Sequence, residues 1–589
     1  MKRSEVQEKY KWNLNDLVES DEAFEKSFGE VLSLLDGFKQ YEGKLSERDC
    51  ALKCLKLGTQ VESRLETLYV YAHMRMHGDM AESVAVGFAN RTEALVGKAM
   101  TAESFIQSEL GALPESVIDA YIADPDFSDY SFSLAEIKRQ KAHILSDKEE
   151  KLLAMSAEAL GVTENIAGML MNADLKFKPV KKDGVKVPLT NESYGALLAD
   201  EDRTVRKAAF NNLYDGYISH INTFTANYGG NVKADNFRAL ARGYNDCLEM
   251  SMDGEGVPTA VYTNLIGAVE RNLEPLHRYI ALRKKLLGLK ELHMYDLYVP
   301  VVENAQMKLP YEEACDIVKK ALAPMGKEYV GLLEKAMTEG WIDVFENEGK
   351  RGGAYSWGAY GTHPYVMLNY SPTTTDIFTI AHELGHCLHT YYSNTTQPFD
   401  KAGYRIFVAE VASICNETLL EKYLMDTVKD KNIQRYLLSY RLDRFRTTLF
   451  RQAMFAEFEY EAHKMDLEGR PLTVDALNGL YHELNKKYYG PSVVSDDKIA
   501  YEWSRIPHFY NAFYVYKYAT GITAATSIAH NILTRGDYVD IYKTKFLSAG
   551  GSKKPYDILC DAEVDLATDK PYDDAFAFFK EALDKLESM

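Results

Sequence analysis

Apolar residues recur three and four positions apart along most of this chain, the spacing that turns one face of an α-helix toward a core. "ALKCLKLGTQVESRLETLYVYAHMRM" and "AVYTNLIGAVERNLEPLHRYIALRKKLLGL" are long examples. Strand-like alternation is confined to two places. "LKFKPVKKDGVKVPLT", Leu175 to Thr190, has short alternating runs on either side of Asp183-Gly184, a hairpin signal. "GGAYSWGAYGTHPYVMLNYSP" is rich in glycine and aromatic residues and ends in the alternating "YVMLNY", Tyr365 to Tyr370. The pattern predicts a mainly α protein with a small β region just before one particular helix.

That helix is signalled at its start. Pro372 discourages helix at Ser371, and Thr373, Thr374, Thr375 and Asp376 are cap candidates. The segment that follows, "DIFTIAHELGHCLHTYY", carries three histidines and a glutamate between His382 and His389. His382 and His386, four apart, project from one face of a helix and can converge on one metal. Glu383 falls beside a bound water rather than on the metal, as in the H-E-x-x-H pattern of zinc-dependent hydrolases, where it is the general base. His389 lies seven residues, about 10 Å of axial rise, beyond His382, too far to share that ion. The third ligand comes from elsewhere, and "RIFVAEVASICNETLLEKYL" offers one. Glu410 interrupts an apolar helical run, a costly position for a carboxylate unless it is paired or bound to metal. Ser413 and Glu417 extend the polar stripe. Glu410 is the expected third ligand. Glu417 either orients a histidine or joins a structural ion pair.

Composition narrows the setting. At 589 residues the chain exceeds one ordinary core, so two or three lobes are expected. The net charge of −19 argues against a nucleic-acid or anionic-membrane partner. The opening "MKRSEVQEKYKWNLNDL" lacks the apolar core of a signal peptide, and no run approaches the roughly 18 apolar residues of a membrane span. Seven scattered cysteines match no zinc ribbon or redox pair and read as buried thiols of a reducing, cytoplasmic setting. No internal repeat or linker-like tract divides the chain. Soft boundaries near residues 112 and 195 are expected, giving segments 1–112, 113–195 and 196–589.

Taken together, these stretches resemble the M3 family of zinc metallopeptidases, the thimet oligopeptidase superfamily, and within it the oligoendopeptidase F group. "KWNLNDL", "LKFKPVKKDGVKVPLT", "DEDRTVRKAAFNNLY", "AHELGHCLH", "FVAEVASICNETLL" and "IPHFYNAFYVYKYATG" occur in the family's order across nearly the whole chain. The resemblance implies a two-lobed helical enclosure around a deep channel whose narrow access admits short, unstructured peptides. It makes 113–195 an oligopeptidase F-type N-terminal domain and 196–589 the catalytic domain. It implies one zinc ion per chain, held by His382, His386 and Glu410, with Glu383 as base. It also gives the tyrosine-rich segment a role. His508 and Tyr516 are the expected stabilisers of the tetrahedral intermediate, with Tyr510 and Tyr514 on substrate, the spacing leaving the choice among the three tyrosines open. The strand "YVMLNY" either offers an edge on which a peptide pairs by main-chain hydrogen bonds or is a structural hairpin.

The sequence therefore predicts a zinc oligoendopeptidase acting on internal bonds of short peptides, of undefined oligomeric state. The rivals are a dipeptidyl carboxypeptidase of the same family and a catalytically idle peptide-binding module. The intact Glu383 weighs against the idle module.

Overall fold

The computed structural model describes residues 1–302 and 307–589, and helices dominate them. The chain divides into two compact units. One comprises Met1–Ala142, Gln306–Thr427 and Ile528–Glu563; the other comprises His143–Ala305, Val428–Ser527 and Val564–Met589.

In the first unit, the helices Arg48–Gly78 and Ser83–Ala112 pack against each other, burying Leu68, Tyr71, Phe88 and Leu95 with Phe24. Phe24 and Phe88 stack with ring centroids 4.0 Å apart. A small sheet follows, in the order Ile342–Asp343, Tyr365–Met367, Tyr355–Trp357, the first pair parallel and the second antiparallel. The expected strand within Tyr365 to Tyr370 is therefore present, but as the buried centre of the sheet. Both of its edges are already paired, so the expectation that a peptide could pair with it is corrected: Tyr355–Trp357 is an edge strand of this sheet.

The sheet packs against the helix Thr374–Thr396, whose N-cap is Thr373: its hydroxyl accepts from the Asp376 N–H at 3.2 Å. Beside this motif helix runs Ile406–Thr427. Their backbones meet at Gly385, where a Cβ would stand 2.5 Å from Ser413 Cα and 2.7 Å from the Ala412 carbonyl oxygen. The Asn416 amide donates to the Ala381 carbonyl at 3.1 Å across this crossing, and Tyr329 OH donates to Asn416 Oδ1 at 3.1 Å.

In the second unit, the predicted hairpin forms from Val180–Lys182 and Val185–Val187, with Asp183 and Gly184 both at positive φ as a tight two-residue turn requires. The long periodic stretch after residue 259 is two helices, Thr259–Arg271 and Leu273–Leu286, broken at Asn272. Pro275 explains the break: it has no N–H to donate and its ring crowds the carbonyl four residues earlier. Among the described residues no helix is long and apolar enough to cross a membrane. All seven cysteines are free; five are buried, whereas Cys50 and Cys560 are partly exposed, contrary to the expectation that all are buried.

The crossing at Gly385 is testable. Gly385→Ala forces the two helices apart and lowers stability by about 1–3 kcal/mol. Gly331→Ala, at an exposed position of the helix Lys327–Thr338 with nothing within 4 Å of the new Cβ, instead raises it by up to about 1 kcal/mol. Denaturant unfolding of both variants checks the opposite signs.

Candidate active site

The close crossing brings three polar side chains together from two helices. His382 and His386 lie one turn apart with their Nε2 atoms 3.2 Å from each other. Glu410 Oε2 is 3.4 Å from His382 Nε2 and 3.5 Å from His386 Nε2. A tetrahedral ion bound at about 2.0–2.1 Å holds its ligands about 3.3–3.4 Å apart, so this triangle fits three corners of such a site. Two imidazoles and one carboxylate are also the donor set of a catalytic zinc centre with a position left open. Among the described residues this is the one group of His, Cys, Asp and Glu side chains suited to holding a metal. Glu410 is 46% exposed, so the triangle faces solvent on one side.

Its supports are on the same helices. His382 Nδ1 is 2.5 Å from Glu417 Oε1, which fixes the ring and leaves Nε2 for the ion. This contact is the one that the histidine-orienting role of Glu417 requires. Burial pulls the His382 pKa down, but the bond to Glu417 and the charges of Glu417, Glu383 and Glu410 outweigh it and raise the value to about 8. Burial works against ionisation of Glu410 too, yet His386, His382 and the Ser413 hydroxyl, 3.0 Å away, bring it down to about 2. Glu383 is 7% exposed, and burial raises its pKa above the ordinary glutamate value of 4.5, which strengthens it as a base. His389 is excluded from the site, as its distance along the helix requires. It is buried, stacks on Tyr404 at 3.8 Å and Phe546 at 5.0 Å, and burial lowers its pKa to about 3.

The family model for Peptidase family M3 matches residues 196–578, and that for Oligopeptidase F matches 109–177. The chain belongs to peptidase family M3. Oligopeptidase PepF of Bacillus subtilis (strain 168) is 42% identical to it, over 100% of this chain and 88% of the relative. Group B oligopeptidase PepB of Streptococcus agalactiae serotype III (strain NEM316) is 38% identical, over 100% and 98%. A solved oligoendopeptidase-F from Enterococcus faecium superposes with a TM-score of 0.73 at 33% identity, over 96% of this chain and 99% of that one. A solved structure from Chlamydophila abortus reaches 0.95 at 34% identity, over 100% and 99%. This M3 chain is accordingly a metallopeptidase of the oligoendopeptidase F type.

The tyrosine-rich segment of this family member lies in the second unit, and its side chains sort into two sets. His508, Tyr510, Tyr514 and Tyr518 are half-buried, whereas Phe509, Phe513, Val515 and Tyr516 are buried. The His508 and Tyr514 rings stack at 5.7 Å, and Tyr518 OH lies 3.3 Å from His508 Nε2. Tyr510 OH accepts from the Asn227 amide at 3.2 Å. The expectation for Tyr516 is corrected. It is 0% exposed, packed 5.3 Å from Tyr262 at the start of the helix Tyr516–Thr534, and belongs to the core. Tyr518 is two residues further along that helix, about 200° round its axis from Tyr516, and its ring instead meets that of Tyr514 at 5.7 Å. Tyr514 precedes the helix, so no helical spacing in the sequence marked the pair that accompanies His508.

Glu417→Gln keeps the side chain's shape but removes the charge that holds His382. It is expected to weaken metal binding roughly 10- to 100-fold, read by titration against a competing chelator.

Proposed function

We propose that this M3 peptidase is a zinc-dependent oligoendopeptidase that hydrolyses internal bonds of short, unstructured peptides in the cytoplasm. The observation that carries the reading is the triangle of His382, His386 and Glu410 at 3.2, 3.4 and 3.5 Å, with the buried base Glu383 beside His382. When bound, zinc supplies a Lewis acid and lowers the pKa of a water toward about 7. The residues of the chain then divide the remaining work. Glu383 takes the proton of the attacking water and hands it to the leaving amine. His508, whose pKa is lowered by burial, and the half-buried tyrosines of its segment donate hydrogen bonds to the oxyanion that develops on the scissile carbonyl. The peptide pairs through its main chain with the edge strand Tyr355–Trp357, which reads no side chains and leaves specificity broad. A channel of restricted access, as the family resemblance implies, excludes folded proteins.

A ladder of peptides and a folded protein, incubated with and without chelator and read by mass spectrometry, tests this. Internal cuts that stop with chelator and spare the folded protein are expected. Release of C-terminal dipeptides alone would make the enzyme a dipeptidyl carboxypeptidase, and no cutting by the zinc-loaded protein would make the site one for binding only. Glu383→Ala is expected to keep its metal and lose turnover by roughly 10²–10⁴-fold. Substantial residual turnover in that variant would refute the assignment of the base.

The pH dependence has a definite sign. The base acts only when ionised, and burial raises its pKa above 4.5. Turnover therefore falls as pH drops and the base is protonated, read from kcat/KM profiles at saturating zinc.

A further inference from the structure

The segment from His508 to Tyr518 carries two costs that its sequence could have avoided. Phe513 has φ +56°, in the left-handed region that a β-carbon disfavours, where glycine would be at ease. Glu459, on the helix Arg451–Leu467 of the same unit, is a carboxyl group with 0% exposure, where an apolar residue would be more easily buried. The two meet in one hydrogen bond. The Phe513 N–H donates to Glu459 Oε1 at 2.7 Å, and both groups are buried. The Phe513 ring is wedged between Tyr262, 5.4 Å away, and His463, 4.8 Å away. His463 is itself tied to the Glu459 carbonyl at 2.9 Å through Nδ1 and lies 3.5 Å from Asp235 through Nε2. The neighbouring backbone is gripped as well: Ser251 donates to the Ala512 carbonyl at 3.2 Å.

On either side of this pinned kink stand the half-buried groups. Tyr514, the next residue, stacks on His508, and Tyr518 lies one turn further on beside His508 Nε2. We propose that Glu459 is a positioning residue: by accepting the Phe513 N–H it locks the left-handed kink that sets Tyr514 and Tyr518 against His508. This rests on the reading of that segment as the donor to the oxyanion. It explains why a buried carboxyl and a strained phenylalanine occur together, since neither alone would fix both the ring and the backbone of residue 513. Burial, outweighing His463 and the Phe513 N–H, pushes the Glu459 pKa up to about 8, so the neutral glutamine is its near isostere.

The proposal reverses the usual ranking of substitutions. Glu459→Gln retains an oxygen at the same reach and is expected to keep kcat near that of the parent. Glu459→Asp retains the acid but withdraws it by one methylene, and is expected to lower kcat by roughly 10- to 100-fold with KM and zinc content little changed. Because Glu459→Asp acts through the tyrosine, combining it with Tyr518→Phe should cost no more than the larger single effect. Steady-state kinetics on one short peptide, with zinc-loaded full-length enzyme, reads all of these. Equal losses in Glu459→Gln and Glu459→Asp, parental kcat in both, or additive losses with Tyr518→Phe would overturn the inference. Parental kcat in both His508→Asn and Tyr518→Phe would instead overturn the reading of the segment itself, and the two failures are thereby separable.

Discussion

The zinc-type triangle depends on one steric fact: two helices can touch at Gly385. His382 and His386 are on one helix and Glu410 on the other, and their ligand atoms stand 3.2, 3.4 and 3.5 Å apart. Those distances exist because the motif helix has no side chain where it meets Ala412 and Ser413. Ser413 serves at both places, forming the crossing through its backbone and holding Glu410 through its hydroxyl. Asn416 then limits rotation by bonding across to the Ala381 carbonyl, just before His382. A packing contact thus fixes the spacing of donor atoms, as expected of a site built on rigid elements rather than loops.

Electrostatics at the triangle follow from burial and the order of partners. Glu417 outweighs the burial of His382, and the two histidines outweigh the burial of Glu410, so opposite charges favour one another's ionised forms. For Glu383 burial prevails, and its pKa rises. His389, on the same helix, has no carboxylate partner comparable to Glu417 among the described residues; burial dominates and leaves it a neutral core residue against Tyr404. One helix therefore carries histidines of two kinds, separated by the neighbours that tertiary packing gives them.

The second unit shows the same economy in a different form. Asn227, Ser251 and Glu459, from three helices, all bond to the short stretch from Tyr510 to Phe513. Each of these three side chains is hydrogen-bonded to that stretch, and such bonds restrict the arrangements open to the chain they hold. A segment rich in aromatic rings would otherwise have many ways to pack.

The sequence by itself determined the helical class, the hairpin at Asp183-Gly184, the cap cluster before the motif helix and the shared helix face of His382 and His386. Each is a local matter of periodicity, turn chemistry or fixed spacing along one helix. It also separated His389 from the pair His382 and His386, because helical rise alone settles that distance. Glu410 was legible as a carboxylate in an apolar run, but its proximity to the histidines depends on a helix crossing that local spacing does not encode. The strand at Tyr365 was legible as a strand, not as the centre of its sheet, since its flanking partners are set by long-range pairing. Tyr516 and Tyr518 are the same residue type two positions apart. Only packing against Tyr262 decided that the first is core and the second stands beside His508. Tertiary structure decided these points because they depend on which surfaces meet, and neither residue type nor local periodicity specifies that.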